Sequence, residues 1–285
     1  MCLPGTIETV REQNEREGVS RRALLAGGGA VALAAAIPGT AEAKRGRKRG
    51  RGHGHGGKGF GKVTDLTHTF TAGFPVYTGD EPTRRTLKNY TPDGFYSQEW
   101  TFGEHSGTHM DAPGHFIPGG RRVPQLRPEE LLAPAAVIDI SRRAASDPDA
   151  EVTPDDVARY ERRNGRLPRG AVVFMNSGWA AKVNDDAAYK GTVGTTYHFP
   201  GFGIDAVEFL LTRRGIQGIG VDTLSLDPGN STTFAVHNRL LGADRYGIEN
   251  VANLSKLRPR GAFVSVGVVP WEEGSGGPCR LLAYG

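Results

Sequence analysis

Four short runs of apolar, largely β-branched residues recur along the chain, at 135–140, 171–175, 216–221 and 262–269. Short, largely apolar runs of this kind predict buried strands. Between them lie helix signals. Thr153-Pro154-Asp155-Asp156 supplies a cap, a first-turn proline and an acidic first turn, leading into a helix over 157–163. Residues 204–214 carry an amphipathic helical pattern that ends in basic residues and Gly215. Segments 237–241 and 248–254 read as further helical turns. Strands alternating with helices predict a mixed α/β domain.

The first 43 residues stand outside that pattern. Ser20-Arg21-Arg22-Ala-Leu-Leu opens a twin-arginine export pattern, an apolar run follows over 23–37, and Ala41-Glu42-Ala43 is a small-x-small cleavage site. The apolar run is short for a membrane span, and no later segment is long enough for one. Export to the periplasm or the exterior is therefore expected, with no stable membrane span after cleavage. Residues 44–62 are basic and rich in glycine and histidine, with almost nothing to bury, and read as a solvated linker. His53 and His55 within it offer at most weak metal binding. Residues 63–285 then form one sizeable domain.

Charge changes the picture once it is divided at this boundary. The whole chain is formally +4, but residues 1–62 hold 12 Lys/Arg against 5 Asp/Glu, leaving 23 against 26 for the domain. A domain of formal charge −3 is a poor partner for nucleic acid. Cys279 is alone in the domain and reads as a packing residue.

The densest chemistry lies in His105-Ser-Gly-Thr-His109-Met-Asp111-Ala-Pro-Gly-His115, three of the eight histidines and a carboxylate within eleven residues. All four ionisable residues occupy odd positions, so an extended backbone would project them from one face. Gly107, Pro113 and Gly114 argue against a helix. Two neutral imidazoles and a carboxylate leave coordination positions open, as catalytic metal sites do. The same donors suit zinc, manganese or iron. His115, beyond a Pro-Gly bend, is a candidate acid/base.

The run His-x-Gly-Thr-His-x-Asp-x-Pro-x-His resembles the signature of the cyclase family of metal-dependent hydrolases, which takes in formamidases and lactam hydrolases. Further similarity lies in Asp65-Leu-Thr-His68, Tyr77-Thr-Gly-Asp80, Phe199-Pro-Gly201, Gly218-Ile-Gly-Val-Asp222-Thr-Leu-Ser225-Leu-Asp227 and Gly276-Gly-Pro278-Cys-Arg280, so it spans residues 63–285. The resemblance implies a curved, barrel-like β structure with flanking helices, of swivelling β/β/α type, often paired as a homodimer. It also implies that His105, His109 and Asp111 bind a first divalent ion, zinc or manganese, and that His115 transfers the proton. A second ion, present in some members, would be held by Asp111 with His237 and Glu249. Taken without the family, His237 reads as a surface or capping histidine and Glu249 as a solvated helix charge. Tyr77 stands where formamidase-like relatives carry a pocket aromatic, usually tryptophan.

Phe95, Trp100, Phe116 and Trp179 are further aromatics for an aryl pocket or for the core. Asp222, Ser225 and Asp227 follow a strand signal and would orient site groups or cap a turn. Ser177 lacks the glycine frame of a nucleophile elbow. The expectation is an exported hydrolase that opens or cleaves a small cyclic or aryl amide with metal-activated water, lactones and esters being the other candidates. The alternative is a non-catalytic protein that holds metal or a small ligand in the same site.

Overall fold

The computed structural model describes residues 61–285. The expected export segment and nearly all of the basic stretch at 44–62 lie outside the described residues. Among the described residues no helix is long and apolar enough to cross a membrane. The structure divides into two units. Residues 85–99 make up most of a small hairpin between β2 (Thr83–Lys88) and β3 (Ser97–Thr101), with Arg85 and Glu99 paired across it. Residues 61–84 and 100–285 form the larger unit.

The larger unit is built on one closed sheet. Its strands are β4 (His109–Asp111), β5 (Leu132–Asp139), β7 (Val172–Asn176), β9 (Gly218–Val221), β10 (Tyr246–Glu249), β11 (Arg260–Val268) and β12 (Gly276–Tyr284). They run in the order β12-β11-β5-β7-β9-β10-β4, and β4 pairs back onto β12, closing a seven-stranded barrel. β1 (Val63–Asp65) is added outside the ring on β12. Neighbours along β5-β7-β9-β10 are parallel, and the remaining pairings of the ring are antiparallel. β6 (Glu151–Val152) and β8 (Gly201–Phe202) pair separately.

Helices explain these four parallel strands, since parallel neighbours need crossovers. The principal ones are α1 (Pro154–Asn164), α2 (Ile204–Phe209, continuing as a π turn to Arg214) and α3 (Ala235–Gly242). Thr153 caps α1 in a reciprocal box with Asp156, as its sequence predicts. Alternate residues of the strands then serve two cores. Ala136, Ile138, Val173, Met175, Ile219 and Val221 pack with Val157, Val207, Leu210 and Leu240 of the helices. Ala135, Val137, Val172 and Phe174 pack instead with Met110, Ile248, Val264, Val266 and Leu281. Strands covered on both faces lose the alternation of apolar and polar residues, which is why they appear as continuous apolar runs.

One predicted element is corrected. Residues 248–254 do not continue as helical turns: Tyr246–Glu249 is β10, followed by a single 3₁₀ turn at Leu254–Lys256. The pairing of β10 with β9 on one side and β4 on the other overrides the local pattern.

Candidate metal centre

The signature segment is not one extended strand. Only His109–Asp111 is β, with Met110 turned into the core. Consequently His109 and Asp111 share the opposite face. His105 reaches them from a loop that bends at Gly107 (φ +67°), where a Cβ would lie 2.4 Å from the Phe70 ring. His115 returns on a 3₁₀ turn opened by Pro113. Its ring stacks on that of His105, with centroids 3.6 Å apart and planes at 22°.

Two more ligand-type side chains come from distant elements. Glu249 lies opposite His109 in the β4–β10 ladder, so it is a buried strand residue and not a solvated helix charge. His237 sits in the first turn of α3 and is buried. Asp227 accepts the backbone N–H groups of Val236 and His237 and also His237 Nδ1, at 2.9, 3.1 and 2.6 Å. It thus anchors the helix and directs His237 Nε2 into the site. The carbonyl of Gly107 does the same for His109, accepting from Nδ1 at 2.9 Å.

His105 Nδ1 lies 2.7 Å from Asp111 Oδ1, and His109 Nε2 lies 3.5 Å from that oxygen. His237 Nε2 is 3.6 Å from Asp111 Oδ2 and 3.1 Å from Glu249 Oε1. His109 Nε2 is 3.2 Å from Glu249 Oε2, yet it lacks hydrogen-bond alignment, and both it and Asp111 Oδ2 are buried without a hydrogen-bond partner. Two sets of donor atoms lie within 4.8 Å of one another: His105, His109 and Asp111, and Asp111, His237 and Glu249. Buried unpaired nitrogen and oxygen atoms among two carboxylates suit a divalent cation, which would satisfy them all.

The electrostatics agree. Burial pulls His109 towards the neutral form, but Asp111 and Glu249 outweigh it and raise the imidazole to about 10 when no cation is present. Burial likewise opposes ionisation of Asp111, and the three surrounding histidines overcome it and hold the carboxyl well below its ordinary range. His115 behaves differently. Burial dominates and pushes it down to about 4, so it is neutral at pH 7.

A cavity of about 1100 Å³ opens over these groups. Tyr77, Phe102, Phe116, Leu224 and Phe234 give it an apolar wall, while His105, His109, His115, His237 and Glu249 lie on its polar side. The Tyr77 ring packs edge-on against Tyr197, Phe199 and Phe234. Phe234 adopts φ +49°, an unusual conformation for a non-glycine residue, directly before α3. All seven predicted site residues, Tyr77, His105, His109, Asp111, His115, His237 and Glu249, therefore converge on one cavity or its floor.

The remaining candidates separate. Phe116 lines the cavity and stacks on His237. Trp179 is buried, donating to the Tyr189 carbonyl, and Trp100 packs against Phe70. Phe95 belongs to the hairpin unit. Asp222 accepts from Ser177 N, Ser177 Oγ and Trp179 N, tying down the turn after β7. Ser177 Oγ is taken up by its bond to the buried Asp222 carboxylate and serves this turn. Burial pushes the Cys279 thiol up to about 12, in keeping with a packing role. Sequence reasoning missed Glu104, Ser275 and Phe234, none of which carries a local motif.

A mixed barrel carrying a buried histidine–carboxylate cluster on β4, β10 and α3 defines a family. Residues 64–228 match the Cyclase family model, and the chain belongs to that family. It is 36% identical over 207 residues to the isatin hydrolase of Roseibium aggregatum, spanning 69% of this chain and 78% of that protein. It is 29% identical over 195 residues to the kynurenine formamidase of Bordetella pertussis, spanning 67% and 82%. The solved structure of isatin hydrolase A from Ralstonia solanacearum matches with a TM-score of 0.75 at 36% identity, over 78% of this chain and 91% of that one.

Proposed function

We propose that this protein is a metal-dependent hydrolase that opens the C–N bond of a small cyclic or aryl amide, with an isatin-like lactam as the leading substrate class. One observation carries the reading: His109 Nε2 and Asp111 Oδ2 are buried without a hydrogen-bond partner, among carboxylates and imidazoles, at the floor of an aromatic-walled cavity. The similarity to an isatin hydrolase and a kynurenine formamidase, both named for amide substrates, supports the same class.

In this reading His105, His109 and Asp111 hold a divalent ion, zinc or manganese, and Asp111 with His237 and Glu249 can hold a second. A divalent ion there supplies Lewis-acid polarisation of a carbonyl and lowers the pKa of water from about 15.7 to near 7. The protein's own residues do the rest. Tyr77, Phe116 and Phe234, packed on one another along the cavity wall, offer apolar aromatic surface to a planar aryl group. His115, neutral and stacked on His105, accepts a proton from the attacking water and returns it to the leaving nitrogen. Asp227 and the Gly107 carbonyl fix the histidines and spare them reorganisation during the reaction. Export by the twin-arginine route is part of the proposal, supported by Arg21-Arg22, the apolar run behind them and Ala41-Glu42-Ala43.

The test is elemental analysis of protein purified without added metal, together with turnover of isatin, N-formyl aryl amides and simple aryl esters. Stoichiometric metal with ring opening or deformylation is expected. Stoichiometric metal with no turnover of any of them would favour a binding protein, and absence of metal uptake would overturn the reading.

A further inference from the structure

His105 differs from the other two ligand-type histidines in which nitrogen it can present. His109 and His237 have Nδ1 tied to the Gly107 carbonyl and to Asp227, so both turn Nε2 inward. His105 instead turns Nδ1 towards Asp111, while its Nε2 lies 3.0 Å from Ser275 Oγ. Ser275 Oγ is in turn 2.8 Å from Glu104 Oε2, which also accepts the backbone N–H groups of Ser275 at 2.8 Å and Gly276 at 3.2 Å.

Counting donors fixes which nitrogen of His105 keeps its proton once an ion replaces the 2.7 Å contact of Nδ1 with Asp111 Oδ1. An ionised carboxylate only accepts, so the single hydroxyl proton of Ser275 goes to Glu104. The Ser275 oxygen is then left as an acceptor, and the proton it accepts is on His105 Nε2. With Nε2 held protonated by Ser275, Nδ1, which otherwise donates to Asp111 Oδ1, is the nitrogen that gives up its proton and offers a lone pair to an ion shared with His109 and Asp111. The ring cannot easily turn away from this arrangement. His115 covers one face at 3.6 Å between centroids, and the backbone of Gly276 approaches so closely that a Cβ there would lie 2.5 Å from His105 Cε1.

We propose that Glu104 and Ser275 are positioning residues: through Ser275 Oγ, Glu104 locks His105 in the tautomer that offers Nδ1 to a divalent ion. The inference rests on the metal-centre reading above and assigns two residues outside the ligand set a part in ion affinity. Orienting partners of this kind typically change metal affinity ten- to a hundredfold.

The experiment measures zinc affinity by competition with a chromophoric chelator, and the His105 tautomer from a long-range proton–nitrogen spectrum of the zinc-loaded protein. Ser275→Ala keeps the backbone donors to Glu104 and removes only the hydroxyl, so a purely structural role predicts wild-type affinity. We expect Ser275→Ala to weaken zinc binding about tenfold or more. Ser275→Thr, which keeps the hydroxyl, should restore it, and Glu104→Gln should weaken it in the same direction. The wild-type spectrum should show His105 protonated at Nε2. Wild-type zinc affinity in both Ser275→Ala and Glu104→Gln, or a wild-type His105 protonated at Nδ1, would overturn this inference while leaving the metal centre standing. A wild-type protein that takes up no zinc would instead overturn the metal reading and this inference with it.

Discussion

Glu249 lies directly opposite His109 across the β4–β10 ladder, and its Oε2 is 3.2 Å from His109 Nε2. Antiparallel pairing thus brings together two residues 140 positions apart and places both side chains on the face shared with Asp111. Asp111 is the common member of both donor sets, whereas Glu249 belongs to only one. Asp111→Asn is therefore expected to reduce bound metal to background. Glu249→Gln should keep an ion on His105, His109 and Asp111, at no more than one per chain. Elemental analysis of the two variants checks this, and full metal content in Asp111→Asn would refute the shared-ligand assignment.

His115 stands apart from both donor sets although its ring touches His105. Removing it should therefore spare metal content and lower turnover. For His115→Ala we expect kcat to fall about 10²- to 10⁴-fold with unchanged metal stoichiometry. A parallel fall in metal content would mean that the stack serves to hold His105 and not to move a proton.

Gly220 in β9 shows how tightly the inner core is closed, because a Cβ there would lie 2.5 Å from Phe174, which is fully buried. Gly220→Ala should destabilise the fold by about 1–3 kcal/mol. In a domain of this size each kcal/mol lowers Tm by about 2–4 °C. Phe174→Leu should recover part of that loss in the double variant, and a thermal-unfolding cycle measures the coupling. Strict additivity of the two changes would show that the ring and the new methyl do not meet.

Legibility from sequence followed how local the governing contacts are. β5, β7 and β9 were predictable because burial on both faces writes itself as apolar runs, whereas β11 buries one face only, with Ala262, Val264 and Val266 inside and Phe263 exposed. α1 was predictable because its cap lies within four residues. The ligand pair His109 and Asp111 was visible because the strand period alone aligns it. β10 was not, since Tyr246-Gly-Ile-Glu249 has no clear alternation and takes its conformation from neighbours on either side. Glu249 and His237 were accessible only through the resemblance of their setting to the family. Glu104 and Ser275 were out of reach: their contact closes 171 residues of chain, and no local spacing records it.

Acid stability should report an ion pair that begins six residues after His115. Arg121 donates to both oxygens of Glu130 at 2.8 and 3.2 Å, and the Arg127 backbone N–H adds a third bond at 2.9 Å. The Arg121 guanidinium is the main cause that holds the Glu130 carboxyl at about 2, against an ordinary value of 4.5, with burial opposing it. A depressed carboxyl pKa means that the unfolded chain binds more protons between these values, so the stabilisation is present above about pH 4.5 and is lost as pH falls towards 2. Since Arg121 is partly exposed, solvent screening reduces the contribution to about 1–2 kcal/mol. Urea unfolding of the wild type and of Glu130→Gln should show that difference near pH 6 and show it shrinking steadily by pH 3. A gap between the two proteins that stays constant over this range would mean that Glu130 stabilises the turn by packing alone, without the charge that its pairing with Arg121 implies.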